Sequence, residues 1–151
     1  MPRLLKEPFI QKSVRTYLRK KGFGKEGEKN TELHEHNVDI KVKHKDCGWY
    51  YLIECKGDPG KHVKAPGGSR RNSMNSAIGE IISRMHTNRK ALYGGYNYGI
   101  AFPSSFKKLV LSNIPYYVCN RLRLSIFLVG SRGEVEEYNH RKLKLFQNNT
   151  R

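Results

Sequence analysis

The sequence predicts an α/β domain in which helices pack on a central mixed β-sheet. Three observations predict it. Residues 38–44 alternate, with Val38, Ile40 and Val42 on one side and Asp39, Lys41 and Lys43 on the other, which is the period of a strand. Residues 49–55 and 124–129 are apolar runs of strand length. Met74, Ala77, Ile78, Ile81, Ile82 and Met85 recur at three and four residues, the period of an amphipathic helix.

The elements follow in chain order. Residues 7–21 read as a helix, because Pro8 suits a first helical position and Ile10, Val14, Tyr17 and Leu18 share a face. Gly22 stops it. Residues 22–35 are charged and Gly-rich, with room for a short edge strand. Asp46, Cys47 and Gly48 form a turn between the first two strands. Residues 57–68 are read as a loop, punctuated by Asp58-Pro59-Gly60 and Pro66-Gly67-Gly68. Residues 97–102 are a strand closed by Pro103, and Ser104 or Ser105 is positioned to cap a helix reaching Asn113. Pro115 opens a short helix through Cys119. Ser131-Arg132-Gly133 turns the chain into a last strand, 134–138. The basic tail from about 140 is expected to fray.

A length of 151 residues is that of one domain, spanning 1–151. Lys and Arg number 29 and Asp and Glu 13, a formal net charge of +16. With a mean hydropathy of -0.72, that charge favours a polyanionic partner, most simply nucleic acid. Twelve of the basic residues lie between Lys61 and Arg132, a stretch whose sole acid is Glu80. No apolar run approaches the roughly 20 residues of a spanning helix, and residues 1–8 lack the apolar core of a secretory leader. Cys47, Cys55 and Cys119 are odd in number and form no CxxC pair, so a cytoplasmic location is expected, without disulfides or structural zinc. His34, His36 and His44 form no zinc pattern either.

Chemistry concentrates at the first two strands. Glu54 and Lys56 share a face, and Cys55 points to the other. A two-residue turn at Asp46-Cys47 sets Asp39 opposite Glu54, whereas one at Cys47-Gly48 sets it opposite Lys56. Either register groups Asp39, Glu54 and Lys56. A three-residue turn would send Asp39 to the opposite face. Two opposed carboxylates repel and call for a cation. Hard oxygen ligands with open positions suit Mg²⁺, with Mn²⁺ expected to substitute. Asp39, Glu54 and the Cys55 backbone carbonyl are the candidate ligands. Lys56 would stabilise a deprotonated water or charge developing on phosphorus, or serve as a base.

The grouping Val38-Asp39-Ile40 with Ile53-Glu54-Cys55-Lys56 resembles the PD-(D/E)xK nucleases, the restriction-endonuclease-like superfamily. The resemblance spans about residues 7–129, and its specific part is Asp39, Glu54 and Lys56. It implies a restriction-endonuclease-like core and Mg²⁺-dependent hydrolysis of phosphodiester bonds. Asn37-Val38, not Pro, precedes Asp39. Some members carry another acid on the first helix, for which Glu7 is the candidate; a first-turn carboxylate favoured by the helix dipole is the simpler account. Where many members carry Gln on the helix after the ExK strand, this chain has Glu80. The simpler account of Glu80 is an i,i+4 pair with Arg84; the alternative puts it at the rim of the metal site.

Lys61, Lys64, Arg70, Arg71 and Arg84 are the candidate nucleic-acid contacts, with His36 close to Asp39. Tyr93, Tyr96 and Tyr98 read as core or strand residues rather than stacking platforms. The sequence thus points to a metal-dependent endonuclease acting on DNA by preference, of restriction, junction-resolving or repair type. It would associate with the nucleoid when bound, need no nucleotide cofactor and work alone or as a homodimer. The alternatives are a non-catalytic nucleic-acid-binding domain of the same fold and a basic structural component of a ribonucleoprotein.

Overall fold

A computed structural model describes residues 3–24, 38–85 and 95–150. It is an α/β fold built on one five-stranded mixed sheet, with strands in the order β1-β2-β3-β4-β5. The strands are β1 (Ile40–Lys43), β2 (Tyr50–Cys55), β3 (Tyr96–Pro103), β4 (Leu124–Val129) and β5 (Val135–Tyr138). β2, β3 and β4 run parallel, and β1 and β5 join the two edges antiparallel. Parallel neighbours need long crossovers. Helix α2 (Pro66–Met85) supplies the first, and a 3-10 turn (Ser104–Phe106) with α3 (Lys107–Asn113) and α4 (Tyr116–Leu122) supplies the second.

Strand periodicity divides the apolar residues between two cores. Ile40, Val42, Tyr51, Ile53, Cys55, Ala101, Phe127 and Val129 face α1 (Glu7–Lys20), which contributes Ile10, Val14 and Leu18. Leu52, Ile100, Phe102, Ile126 and Leu128 face α2, α3, α4 and the C-terminal α5 (His140–Asn149), including Met74, Ala77 and Ile81 of α2. Gly22, at φ +94°, closes α1 in a conformation that favours glycine. Phe23 then bridges antiparallel to His44, so the edge pairing expected after Gly22 begins there; residues 25–35 of that stretch lie outside the described residues.

Four local expectations are corrected. The tail does not fray: α5 (His140–Asn149) closes the chain. The Asn139 side chain caps it by accepting the Lys142 N–H. Leu143 enters the core, and the buried Gln147 amide donates to the Leu111 and Ile114 carbonyls, satisfying groups left at the end of α3. Pro66, Gly67 and Gly68 are not loop but the first turn of α2, which a proline can open because its missing N–H has no helical partner there. Neither Ser104 nor Ser105 caps a helix; the Ser105 hydroxyl donates to Asp58 instead. The β1–β2 turn is wider than two residues, spanning 45–48, yet His44 N–H still bonds the Trp49 carbonyl and keeps the register of the narrower turn.

Glu137 of β5 ties α1 to the sheet. Its carboxylate accepts from Tyr17 at 3.0 Å, Lys21 at 2.8 Å and Tyr51 at 3.1 Å. Burial works to raise its pKa, but Lys21 and the two phenols outweigh that and hold it below the ordinary value of 4.5. Its stabilising contribution is therefore complete above pH ~4.5 and is lost as pH falls through the lower, folded-state pKa. Glu137→Ala leaves two phenolic hydroxyls without their acceptor and is expected to lower stability by ~2–4 kcal/mol. Urea melts of this variant at pH 7 and pH 3 check it. The deficit should shrink at the lower pH, and an equal deficit at both would assign the loss to packing.

Candidate active site

The β1–β2 ladder pairs Ile40 with Ile53. That is the first of the two registers expected; Asp39 lies in a bend just before the paired residues, and its carboxylate comes close enough to act on Glu54. Because of that bend Val38 joins the α2-side core and does not share a side with Ile40 and Val42 as expected. Glu54 lies on the α2 side of the sheet and Cys55 on the α1 side, as strand alternation requires. Cys55 is fully buried, and burial pushes its thiol well up, so it is a packing residue with an inert side chain.

Asp39 is held from two directions. Its Oδ2 accepts the Cys55 N–H at 2.7 Å, and its backbone carbonyl accepts from Arg15 Nη2 at 3.3 Å. In a strand the N–H and C=O of one residue point to the same edge, so the Cys55 carbonyl is directed toward the Asp39 side as well. Arg15 was not anticipated. It is buried on the α1 face one residue past Val14, where a long cation has apolar neighbours and a carbonyl to cap.

Glu54 is 2% exposed, and its Oε1 makes no hydrogen bond among the described residues. Arg84 Nε lies 3.8 Å from that oxygen. Burial first, then the Asp39 charge, push its pKa up to about 9, with Glu80 adding to the effect. Glu7 is raised too, first by burial and next by Asp39, against the opposing pull of Lys56. Four carboxyl groups therefore feel one another around Lys56. The i,i+4 account of Glu80 does not hold. Glu80 Oε1 accepts from Lys56 Nζ at 3.1 Å, while Arg84 turns to Glu54. The cross-element pairs form because packing α2 on the sheet brings Lys56 within reach of Glu80 and Glu54 within reach of Arg84.

Glu7 reaches this place because Gly57 lets it. A Cβ on Gly57 would lie 2.7 Å from the Glu7 nitrogen and 3.0 Å from the Leu5 carbonyl oxygen. Asp58 completes the clamp: it accepts the Leu5 N–H at 2.8 Å and the Ser105 hydroxyl at 2.5 Å. The sequence marks Gly57 and Asp58 only as loop residues, and no local signal distinguishes them. Gly57→Ala must displace the start of α1, and a stability loss of ~1–3 kcal/mol is expected. Thermal melting checks it; a wild-type Tm would mean that α1 yields freely.

The remaining candidates lie around this centre. Lys61 and Lys64 are exposed on the loop leaving β2, and Arg70 and Arg71 are on the second turn of α2. None is bonded to the four carboxylates. His36 and Tyr93 fall outside the described residues. Tyr98 is buried, Tyr96 stacks on Tyr50 at 5.2 Å, and His44 packs against Phe23.

Among the described residues no three His, Cys, Asp or Glu side chains form a ready metal cluster. The donor chemistry nevertheless suits a hard cation. Mg²⁺ commonly takes only one or two carboxylates, with water and phosphate oxygens completing its shell. A buried carboxylate oxygen with no hydrogen bond, facing a second carboxylate, is a group such an ion would satisfy. No helix of the described residues is long and apolar enough to cross a membrane. Comparison of the chain with protein-family models, with curated proteins and with solved structures yields no match.

Proposed function

We propose that this protein is a Mg²⁺-dependent nuclease of the PD-(D/E)xK type, with a restriction-endonuclease-like core, hydrolysing phosphodiester bonds in DNA. One observation carries the reading. Asp39 and the buried, under-bonded Glu54 lie beside each other just past the β1–β2 pairing, where Lys56 also lies. The net charge of +16 supports a polyanionic substrate.

Asp39, Glu54 and the Cys55 carbonyl would hold the ion. When bound, it supplies positive charge to a phosphate oxygen and lowers the pKa of a water. The chain's own residues do the rest. The Cys55 N–H and Arg15 keep Asp39 in one place, so little reorganisation is left for the reaction itself. Glu80 holds the Lys56 ammonium at the site, where Nζ can donate to an oxygen as negative charge grows on phosphorus. Arg84 tempers the charge of Glu54 before substrate arrives.

The test is incubation of the pure protein with duplex DNA, single-stranded DNA, a branched junction and RNA, in Mg²⁺, Mn²⁺ or EDTA. Cleavage of at least one DNA substrate is expected with either metal and none in EDTA. Absence of cleavage of every substrate in both metals would overturn the reading.

A further inference from the structure

A groove of about 550 Å³ opens between the start of α2 and the face of α3. Arg70 and Arg71 line it from α2, and Lys108 lines it from α3, thirty-seven positions further along than Arg71. Among the described residues no acid pairs with any of the three, although Lys21, Lys56, Lys107 and Lys142 all have carboxylate partners. Arg70 Nε is buried and makes no hydrogen bond among the described residues. Three cations from two helices thus line one groove.

The rest of the lining is equally specific. Ser105, Ser112 and Asn113 add hydroxyl and amide groups, and Gly67 and Gly68 leave the wall open, with almost nothing near a would-be Cβ. Among the described residues no aromatic ring lines the groove, and Leu109 is its one large apolar side chain. It therefore offers charge and hydrogen bonds but no surface on which a base could stack. Its place is set by one bond already described and by the run of α2. Ser105 is bonded to Asp58, two residues past Lys56, and α2 carries both Arg71 and Glu80. At 1.5 Å per residue, Arg71 and Glu80 lie roughly 14 Å apart along the helix. Phosphates of one strand recur about every 3.4 Å along a duplex axis, so this span is roughly four nucleotides.

We propose that this groove is a backbone subsite, which grips the phosphates of a DNA duplex about four nucleotides from the scissile bond. It rests on the nucleic-acid reading above and specifies where the flanking backbone lies and that it is read without regard to sequence. The contact is made whether or not metal is bound, because none of its residues belongs to the carboxylate cluster.

Binding in EDTA tests it apart from catalysis. The probe is a fluorescent 24-base-pair duplex, titrated at several salt concentrations, with a single strand of the same sequence alongside. In Arg70→Gln/Arg71→Gln/Lys108→Gln, duplex affinity is expected to fall at least ~10-fold near 150 mM salt. The slope of log K against log salt should shrink by about 2–3. Arg71→Gln/Lys108→Gln changes only exposed residues and so keeps the fold; its slope should shrink by about 2. Lys20→Gln, at the end of α1 remote from Glu7, should behave as wild type. Wild-type affinity and slope in the double variant would overturn the groove and leave hydrolysis standing. A loss seen only with the single strand would overturn the assignment to duplex. A wild-type protein that binds duplex but never cuts it would overturn hydrolysis alone.

Discussion

Asp39→Asn is expected to reduce DNA cleavage at least ~100-fold, the scale of losing one fixed electrostatic group at a reacting centre. The substitution is close to isosteric. The amide oxygen can still accept the Cys55 N–H, and Arg15 still reaches the backbone carbonyl. What disappears is one negative charge facing Glu54. Metal affinity should fall with activity, whereas DNA binding should persist or strengthen, since a repulsive charge near phosphate is gone. Stability without metal should hold or rise, because opposed like charges no longer face each other. Nicking assays, metal titration and thermal melting on this variant read the three effects separately. Full cleavage by Asp39→Asn would rule out the site, and full cleavage with altered stability would make the carboxylate pair a structural feature.

Glu54→Gln should separate stability from function more sharply. A 2% exposed carboxylate beside a second one is a poor resident of a folded protein without a cation. Replacing it by a neutral amide removes the cost of forcing that carboxyl to take up a proton on folding, and the metal-free protein is expected to gain about 1–3 kcal/mol. For a chain of this size each kcal/mol moves Tm by about 2–4 °C, so a rise of several degrees is anticipated. Arg84 loses its carboxylate neighbour but is partly exposed, and water can solvate it. Mg²⁺ should raise the Tm of wild type, since a ligand that binds only the folded state stabilises it. It should leave Glu54→Gln unmoved, and cleavage by the variant should be lost. A variant that melts earlier than wild type, or that still responds to Mg²⁺, would mean that Glu54 is paired well enough to need no ion.

The strands and the main helices could be read from the chain, because each is written in a local period that neighbouring residues settle among themselves. β4 falls on residues 124–129 as expected, and α1 stops just before Gly22. The grouping of Asp39 with Glu54 was also legible, since a short antiparallel connection leaves few registers and both two-residue turns put the acids on one face. The register itself was not, because it depended on a four-residue connection that no dipeptide announces.

What the sequence left undecided involves partners far apart in the chain. Gln147 caps carbonyls of α3 across more than thirty residues, and only that docking makes a helix of a tail that reads as a basic frayed end. Glu80 looks like the partner of Arg84 when α2 is considered alone. Once α2 lies on the sheet, Lys56 and Glu54 compete for those two side chains and take them. Lys108 and Arg71 share a groove only because the β3 crossover returns α3 beside the start of α2. Sequence by itself determined the strands, most of the helices and which acids would lie together. Tertiary structure decided which charges are paired, because that choice depends on the burial and distance that packing creates and no local period encodes.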